Sequence, residues 1–247
     1  MLAHELCPTK PLTLEVVGKL LKELPHLNLS AEAVRRVNKS HEVLTKIISK
    51  SKSPIYGINT GFGDLKNVQI SLDDLSQLQT NLVMSHACGV GNKIPAEVVR
   101  LMLLFKIQGL IHGYSGVQLA TVELLIAFWN KNILPVVYEQ GSLGASGDLA
   151  PLAHLALPLI GKGEVSYNGI ICQTTVALKE CELSPVKLKA KEGLAILNGT
   201  QFMSAWGVFN LLRAKNIVVA ADVIGALSLD GFDGLKQPFD ARLHTIR

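Results

Sequence analysis

Three adjacent residues, Ala145-Ser146-Gly147, place a hydroxyl side chain between two small neighbours. If the amide nitrogen of Gly147 approaches the carbonyl carbon of Ala145, which an unhindered glycine permits, the backbone can close into a ring. Closure with loss of two waters gives a methylidene-imidazolone, and the serine side chain becomes its exocyclic methylene. The segment therefore predicts an electrophile built from the chain itself.

The same segment offers two hydrolase interpretations. Residues 144–147 resemble a nucleophile elbow, but that motif needs a glycine two positions after the serine, where Asp148 stands. A triad of Ser146, His154 and Asp148 is open by composition, although Asp148 and His154 would lie on different faces of one helix. We therefore favour cyclisation.

Nucleotide and metal sites lack their sequence patterns. There is no G-x-x-x-x-G-K-[ST] loop, and Gly61-Phe-Gly63 lacks the third glycine of a dinucleotide-binding motif. No CxxC pair or metal-ligand spacing connects the cysteines, which are Cys7, Cys88, Cys172 and Cys181. We expect no metal and no nucleotide cofactor.

The elements that would position the ring are predicted to be helices. Leu14, Val17, Leu21 and Leu24 recur at three- and four-residue steps, which predicts an amphipathic helix. Ser30 is expected to cap a second helix. Further helices are predicted through Leu78 to Ser85, from Pro95 to Ile111, from a capping box at Ser115–Gln118 to Asn130, after Asp148, from Glu192, and from Phe209 to Leu229.

The segment before the helix that starts at Asp148 is a glycine-rich turn, so this helix would face the ring. Its positive N-terminal end would increase the electrophilicity of the ring, and Asp148 is expected to act mainly as its cap. The one clear strand signal is Glu164 to Ile171, where Asn168-Gly169 is the preferred type I′ hairpin turn. We predict a mainly α fold with one small hairpin.

Composition limits the function classes. The chain has 247 residues, 48% of them hydrophobic, which is enough for a sizeable core. Its net charge of +4 comes from scattered Lys and Arg, so nucleic acid is not an expected partner. No export signal or membrane-spanning segment is apparent, and a cytoplasmic protein with reduced thiols is expected.

Residues 144–154, Gly-Ala-Ser-Gly-Asp-Leu-Ala-Pro-Leu-Ala-His, resemble the signature of the aromatic amino-acid ammonia-lyases and aminomutases, which form this ring autocatalytically. The resemblance covers essentially the whole chain in order. Its other segments are 56–63, 78–89, 192–201 and 238–242. Several long motifs in a fixed order make it specific.

The resemblance implies the N-terminal helical domain of the aspartase/ammonia-lyase-like fold. Residues 1–247 would form one catalytic-loop domain, in which the central helical bundle begins near residue 192 and is truncated at 247. Family members continue past this point, form homotetramers, and build each active site from several subunits. An inactive truncated fragment is therefore the alternative to an active enzyme.

The resemblance also implies residue roles. Ala145, Ser146 and Gly147 would form the methylidene-imidazolone as the sole cofactor. Tyr56 would take the β-proton, and Asn198 would hydrogen-bond the ring or orient the substrate. The loop that carries Tyr56 would be shaped by a supporting group, Asn59, Gly61 and Gly63.

His86 indicates the substrate. Its Ser-His-Ala-Cys-Gly context resembles that of the histidine-specific members, where this histidine contacts the substrate imidazole. The implied reaction is elimination of ammonia from L-histidine to give trans-urocanate, with either the amine or the ring of the substrate adding to the methylidene carbon. A tyrosine or phenylalanine ammonia-lyase or aminomutase is the alternative within the family.

Overall fold

The computed structural model describes residues 2–50, 55, 57–58, 60, 74–143 and 147–245. Helices dominate these residues, as predicted. The α-helices are α1 (Leu14–Glu23), α2 (Ala31–Lys50), α3 (Leu75–His86), α4 (Ala96–Ile111), α5 (Leu119–Asn130), α6 (Leu149–Ala156), α7 (Thr174–Glu180), α8 (Glu192–Leu197) and α9 (Gln201–Gly231). Short 3₁₀ helices lie at Leu157–Ile160, Gln237–Phe239 and Ala241–Thr245.

The predicted hairpin is present, and it is not the only β-structure among the described residues. The strands are β1 (Ala3–Leu6), β2 (His26–Leu29), β3 (Val90–Lys93), β4 (Leu134–Pro135), β5 (Tyr138–Gln140), β6 (Glu164–Tyr167) and β7 (Ile170–Gln173). β1 pairs parallel with β2, β3 pairs antiparallel with β5, and β4, β6 and β7 form an antiparallel sheet. In the hairpin, Asn168 and Gly169 both have positive φ, as a type I′ turn requires.

The core centres on α4 and α5, which pack on each other. Both helices are apolar on most sides, and their large side chains, among them Leu101, Met102 and Phe128, are fully buried. A helix that is apolar all round has to be surrounded by other elements. The prediction that the segment ending at Ile111 is buried is confirmed.

Two predicted helix starts had different outcomes. The Ser30 hydroxyl accepts a hydrogen bond from the Ala33 amide at 3.1 Å, so the predicted cap of α2 is confirmed. The capping box at Ser115–Gln118 is wrong, because α5 begins at Leu119 and Gln118 is its N-cap residue. The Gln118 amide donates instead to the Glu192 carboxylate at 2.9 Å, which takes the place of a local cap.

The chain divides into two compact units, Met1–Gly207 and Val208–Arg247. The first unit holds α1 to α8 and the sheets. The second consists of most of α9 and the two 3₁₀ helices that follow it. A single domain with a bundle beginning near residue 192 stays a prediction. Within the described ranges, no helix is both long and apolar enough to cross a membrane.

Candidate active site

Gly147, the third residue of the ring-forming triplet, lies one residue before the N-cap of α6 and pairs with Gly199 in a parallel bridge. The next amide, that of Asp148, donates to the Gly199 carbonyl at 3.2 Å. Gly147 has φ +79°, and a Cβ at this position would lie 2.6 Å from the Gly199 oxygen. Only glycine fits, which leaves the amide nitrogen that ring closure requires unhindered by a side chain.

Asp148 is fully buried and occupies the N-cap position of α6, but its side chain makes no capping hydrogen bond, so the predicted capping role is wrong. Its carboxylate accepts hydrogen bonds from the Ser142 hydroxyl at 2.7 Å and from the Met203 amide at 3.0 Å. Met203 lies in the first turn of α9, where backbone amides lack partners within the helix. Asp148 therefore ties the loop before α6 to the start of α9.

Lys106 is a buried lysine that contacts the junction where Gly147 and Asp148 meet Asn198 and Gly199. Sequence reasoning missed it. It belongs to α4, is only 2% exposed, and donates from Nζ to the Asn198 carbonyl at 2.9 Å. Burial lowers the pKa of Lys106 to about 7, and the Asp148 charge opposes that shift. The available signal was that this helix, predicted to be buried, carries two cations, Arg100 and Lys106.

Asn198 follows α8 directly and is exposed at this junction. Its Nδ2 donates to the Leu194 carbonyl at 3.0 Å, which orients the side-chain amide at the helix end. Because Gly199 pairs with Gly147, the structure brings Asn198 next to the ring-forming triplet. The two predicted site segments thus meet, although they are far apart in the sequence.

Glu192, at the start of α8, anchors the helix that precedes Asn198. Its buried carboxylate accepts hydrogen bonds from the amide and side chain of Gln118, the Thr121 hydroxyl and the Lys189 amide, at 2.7 to 2.9 Å. Burial raises the pKa of Glu192, while these donors favour its charged form. Sequence reasoning placed Glu192 on a helix but did not predict this anchor.

His86 is the last residue of α3, a helix that packs on both α6 and α8. Its Nδ1 lies 2.9 Å from the Leu82 carbonyl, so in the neutral ring Nδ1 carries the hydrogen and Nε2 is the acceptor. The chain after His86 is attached to α6, because the Gly89 amide donates to His154 Nε2 at 2.9 Å. His154 is therefore structural and belongs to no triad with Asp148.

Two helix N-terminal ends lie beside the paired glycines. The paired residues Gly147 and Gly199 each stand close before a helix, α6 and α9 respectively, whose N-terminal end carries a partial positive charge. When protonated, Lys106 adds to this charge, and the Asp148 carboxylate opposes it. Such a site stabilises negative charge that develops on a bound group.

Several predicted site residues lie outside the described ranges, namely Tyr56, Asn59, Gly61, Gly63, Ala145 and Ser146. Next to Tyr56, the described residues Gly57 and Ile58 lie in a turn, in keeping with the predicted loop. Within the described part of the chain, no three His, Cys, Asp or Glu side chains form a metal-binding cluster.

The chain belongs to the aromatic amino acid lyase family, whose sequence profile matches residues 12–247. Among curated relatives, the histidine ammonia-lyase of Halalkalibacterium halodurans is 44% identical over 238 residues, which are 96% of this chain and 46% of that protein. The recognition made from the motifs is confirmed.

Solved structures give the same family. The histidine ammonia-lyase of Trypanosoma cruzi superposes with a TM-score of 0.90 at 34% identity, covering 100% of this chain and 48% of that one. The Treponema denticola ergothionase, solved with desmethyl-ergothioneine sulfonic acid, gives a TM-score of 0.92 at 31% identity, covering 99% and 49%. The ammonia-lyase fold is confirmed, and the chain spans about half the length of the relatives it matches.

Proposed function

We propose that the whole protein eliminates ammonia from L-histidine to give trans-urocanate, with a methylidene-imidazolone formed from Ala145, Ser146 and Gly147. The observation that carries the proposal is the glycine-only pairing of Gly147 with Gly199 beside two helix starts. When formed, the ring supplies an electrophilic carbon that assists departure of the substrate amine. The unhindered Gly147 nitrogen fits the chemistry of its formation.

Tyr56 is the proposed base that removes the β-proton of the substrate. A free tyrosine has a pKa near about 10, so near neutrality the phenolate needs positive charge close by. Positive charge in the candidate site comes from the two helix starts and from protonated Lys106, and it would support a phenolate brought to this site. Asn198 is the proposed orienting group, since its side chain is exposed at the junction and ordered by its bond to Leu194.

His86 is the proposed specificity residue. Its Nδ1 is engaged with the Leu82 carbonyl, so Nε2 is the nitrogen left to accept a hydrogen bond from a substrate imidazole. A phenyl ring offers no such donor, and a buried or half-buried imidazole facing it would lose a hydrogen bond to water. This polar contact favours histidine over the phenylalanine alternative.

Ring formation is tested by mass spectrometry of the peptide that contains residues 145–147. The proposal expects this peptide to be lighter than its sequence mass by two waters. A Ser146→Ala variant is the control, because it removes the atom that becomes the methylene while changing only one side chain. A wild-type peptide of unaltered mass would exclude this cofactor and with it the proposed reaction.

Substrate choice is tested in the whole protein with His86→Phe. We expect kcat/KM to fall more for histidine than for phenylalanine, since one hydrogen bond to the histidine substrate is lost. The two losses should differ by roughly tenfold or more. Met84→Leu, at an exposed position on the same helix, is the matched control. An equal loss for both amino acids would remove His86 as the specificity residue and leave the tyrosine or phenylalanine alternatives standing.

We further propose that the whole protein is a cytoplasmic homotetramer. Support for association is the apolar surface of α9, on which Ile217, Ile224 and Leu227 are each more than 60% exposed. Support for the compartment is that the four cysteines are free thiols rather than disulfides.

A further inference from the structure

Lys106 carries an ionisable amine in a stretch of α4 whose fully buried neighbours are apolar. Its side chain is among the largest fully buried ones, and neighbouring residues of α4 such as Leu104 and Ile107 are completely buried and apolar. Burial of an ammonium is unfavourable unless specific partners offset the loss of water. An apolar side chain of similar length would fill this space without that cost, so packing alone does not explain a lysine.

The partner of the lysine identifies what the charge does. Nζ donates to the carbonyl of Asn198, a residue in the connection between α8 and α9. The next residue, Gly199, pairs with Gly147, and its carbonyl accepts a hydrogen bond from the Asp148 amide. One hydrogen bond from the core therefore restrains the backbone against which the ring-forming segment is aligned.

Asp148 completes the arrangement from the other side. Its buried carboxylate accepts hydrogen bonds from the Ser142 hydroxyl and the Met203 amide. Its negative charge also favours the protonated form of Lys106 and so raises the pKa of that lysine. The Asn198–Gly199 connection is thus held between a cation from α4 and the loop that precedes α6. Peptide groups fixed at both ends keep the geometry that cyclisation of a neighbouring backbone requires.

We propose that Lys106 is a positioning residue for the ring-forming segment: its Nζ donates to the Asn198 carbonyl and so fixes Gly199 against Gly147 and Asp148. The inference rests on the proposed function as far as ring formation is concerned. The restraint on the Asp148 amide is a property of the fold and can be measured whether or not the ring forms.

The test compares Lys106→Met, Lys106→Arg and a control, Leu104→Ala, in the whole protein. Met removes the charge at similar length, Arg restores a cation, and Leu104 is an equally buried α4 residue that points to a different face of the helix. Two quantities are measured for each, the hydrogen-exchange rate of the Asp148 amide and the fraction of the 145–147 peptide lighter by two waters. Circular dichroism checks that each variant folds.

We expect Lys106→Met to speed exchange of the Asp148 amide by roughly tenfold or more, as loss of a hydrogen bond to a charged group implies, and to lower the ring-containing fraction. Lys106→Arg should recover both, and Leu104→Ala should change neither beyond its effect on global stability. Wild-type rates in Lys106→Met overturn the proposal. So does an equal effect in Leu104→Ala without recovery by Arg, which would show general loosening of the core.

The failure of the proposed function has a separate signature. If the wild-type peptide has its full sequence mass, the elimination chemistry is excluded, and the exchange rate of the Asp148 amide alone then decides whether Lys106 positions this loop. If the wild-type ring forms and Lys106→Met matches it in both quantities, the function stands and the role of the lysine is lost.

Discussion

At the scale of single residues, two glycines with similar backbone angles have opposite surroundings. Gly147 has φ +79° and meets the Gly199 carbonyl, whereas Gly169 has φ +78° and nothing within 4 Å of a built Cβ. Comparing the two glycines separates the free-energy cost of a positive φ from the cost of a steric clash with a neighbouring atom. It also shows why glycine spacing in the sequence does not by itself distinguish a turn from a close backbone approach.

We expect Gly169→Ala to lower the free energy of unfolding by about 1–2 kcal/mol through backbone strain alone. Gly147→Ala should cost roughly 2–5 kcal/mol, because its Cβ also displaces the Gly199 oxygen. Urea unfolding of both variants measures the difference, and the mass of the 145–147 peptide should show loss of the ring in Gly147→Ala only. Equal losses of unfolding free energy in the two variants would mean that the backbone at Gly199 can move away from residue 147 without cost.

Sequence reasoning selected the ring-forming triplet, Asn198 and His86 as candidates because each lies in a recognisable local motif. It missed Lys106 and misassigned Asp148 for one physical reason. Their partners, Asn198 and Met203, are distant in the sequence and come close only after folding. A local pattern predicts the side chain that a position carries, but the acceptor that it finds depends on tertiary structure.

At the scale of elements, α3 and α6 are coupled through a neutral histidine. The Gly89 amide, just beyond α3, donates to Nε2 of His154 on α6, and this nitrogen must be unprotonated to accept. Burial lowers the pKa of His154 below its ordinary value of 6.5. Between these two pKa values the unfolded chain binds more protons than the folded chain.

The free energy of unfolding should therefore fall as the pH drops below 6.5, by up to about 1.4 kcal/mol per pH unit until the lowered pKa is reached. Above 6.5 this histidine contributes no pH dependence. His154→Gln, whose side-chain oxygen can accept from Gly89, should remove that part of the acid loss in urea unfolding between pH 5 and 7. His26→Gln, an exposed control, should retain it. An unchanged acid loss in His154→Gln would refute the coupling.

Helices were predicted well and strands poorly, and the difference is physical. An apolar repeat marks α1, the Ser30 cap marks the start of α2, and Pro95 followed by a long apolar run marks α4, all without knowledge of the rest of the chain. β1, β2 and β4 have two to four residues each, too few for an alternating pattern, and exist through pairing with distant partners. The Ser115 box failed similarly, because Glu192 supplies the contact at that helix start.

At the scale of the whole molecule, α9 carries apolar side chains that the second unit leaves in contact with solvent. Ile217 and Ile224 are 68% and 61% exposed and, seven residues apart, lie on one face of the helix. Contiguous apolar surface of this kind marks an interaction site in soluble proteins. The helical prediction for 209–229 was confirmed, but its all-round apolar sequence does not reveal which face is covered.

We expect the chain studied alone to self-associate, with sedimentation velocity showing species larger than the monomer at micromolar concentration. Ile217→Lys combined with Ile224→Lys should shift it towards the monomer, since charges on an apolar contact face are unfavourable. Ile170→Lys, at a position 69% exposed on the β6–β7 hairpin, is the control and should leave the distribution unaltered. A monomer before any substitution would contradict the expectation.

The contact between Gly147 and Gly199 is made by main-chain atoms, which every amino acid possesses. Scanning mutagenesis would identify this contact only as two positions, Gly147 and Gly199, that do not tolerate a side chain. It would find no second-site substitution that compensates for a first, because no side chain takes part in the contact. The natural probe is chemical: exchanging the Asp148 amide for an ester deletes the donor to Gly199 while every side chain stays in place. The contact between Gly147 and Gly199 thus depends on peptide groups rather than on side chains.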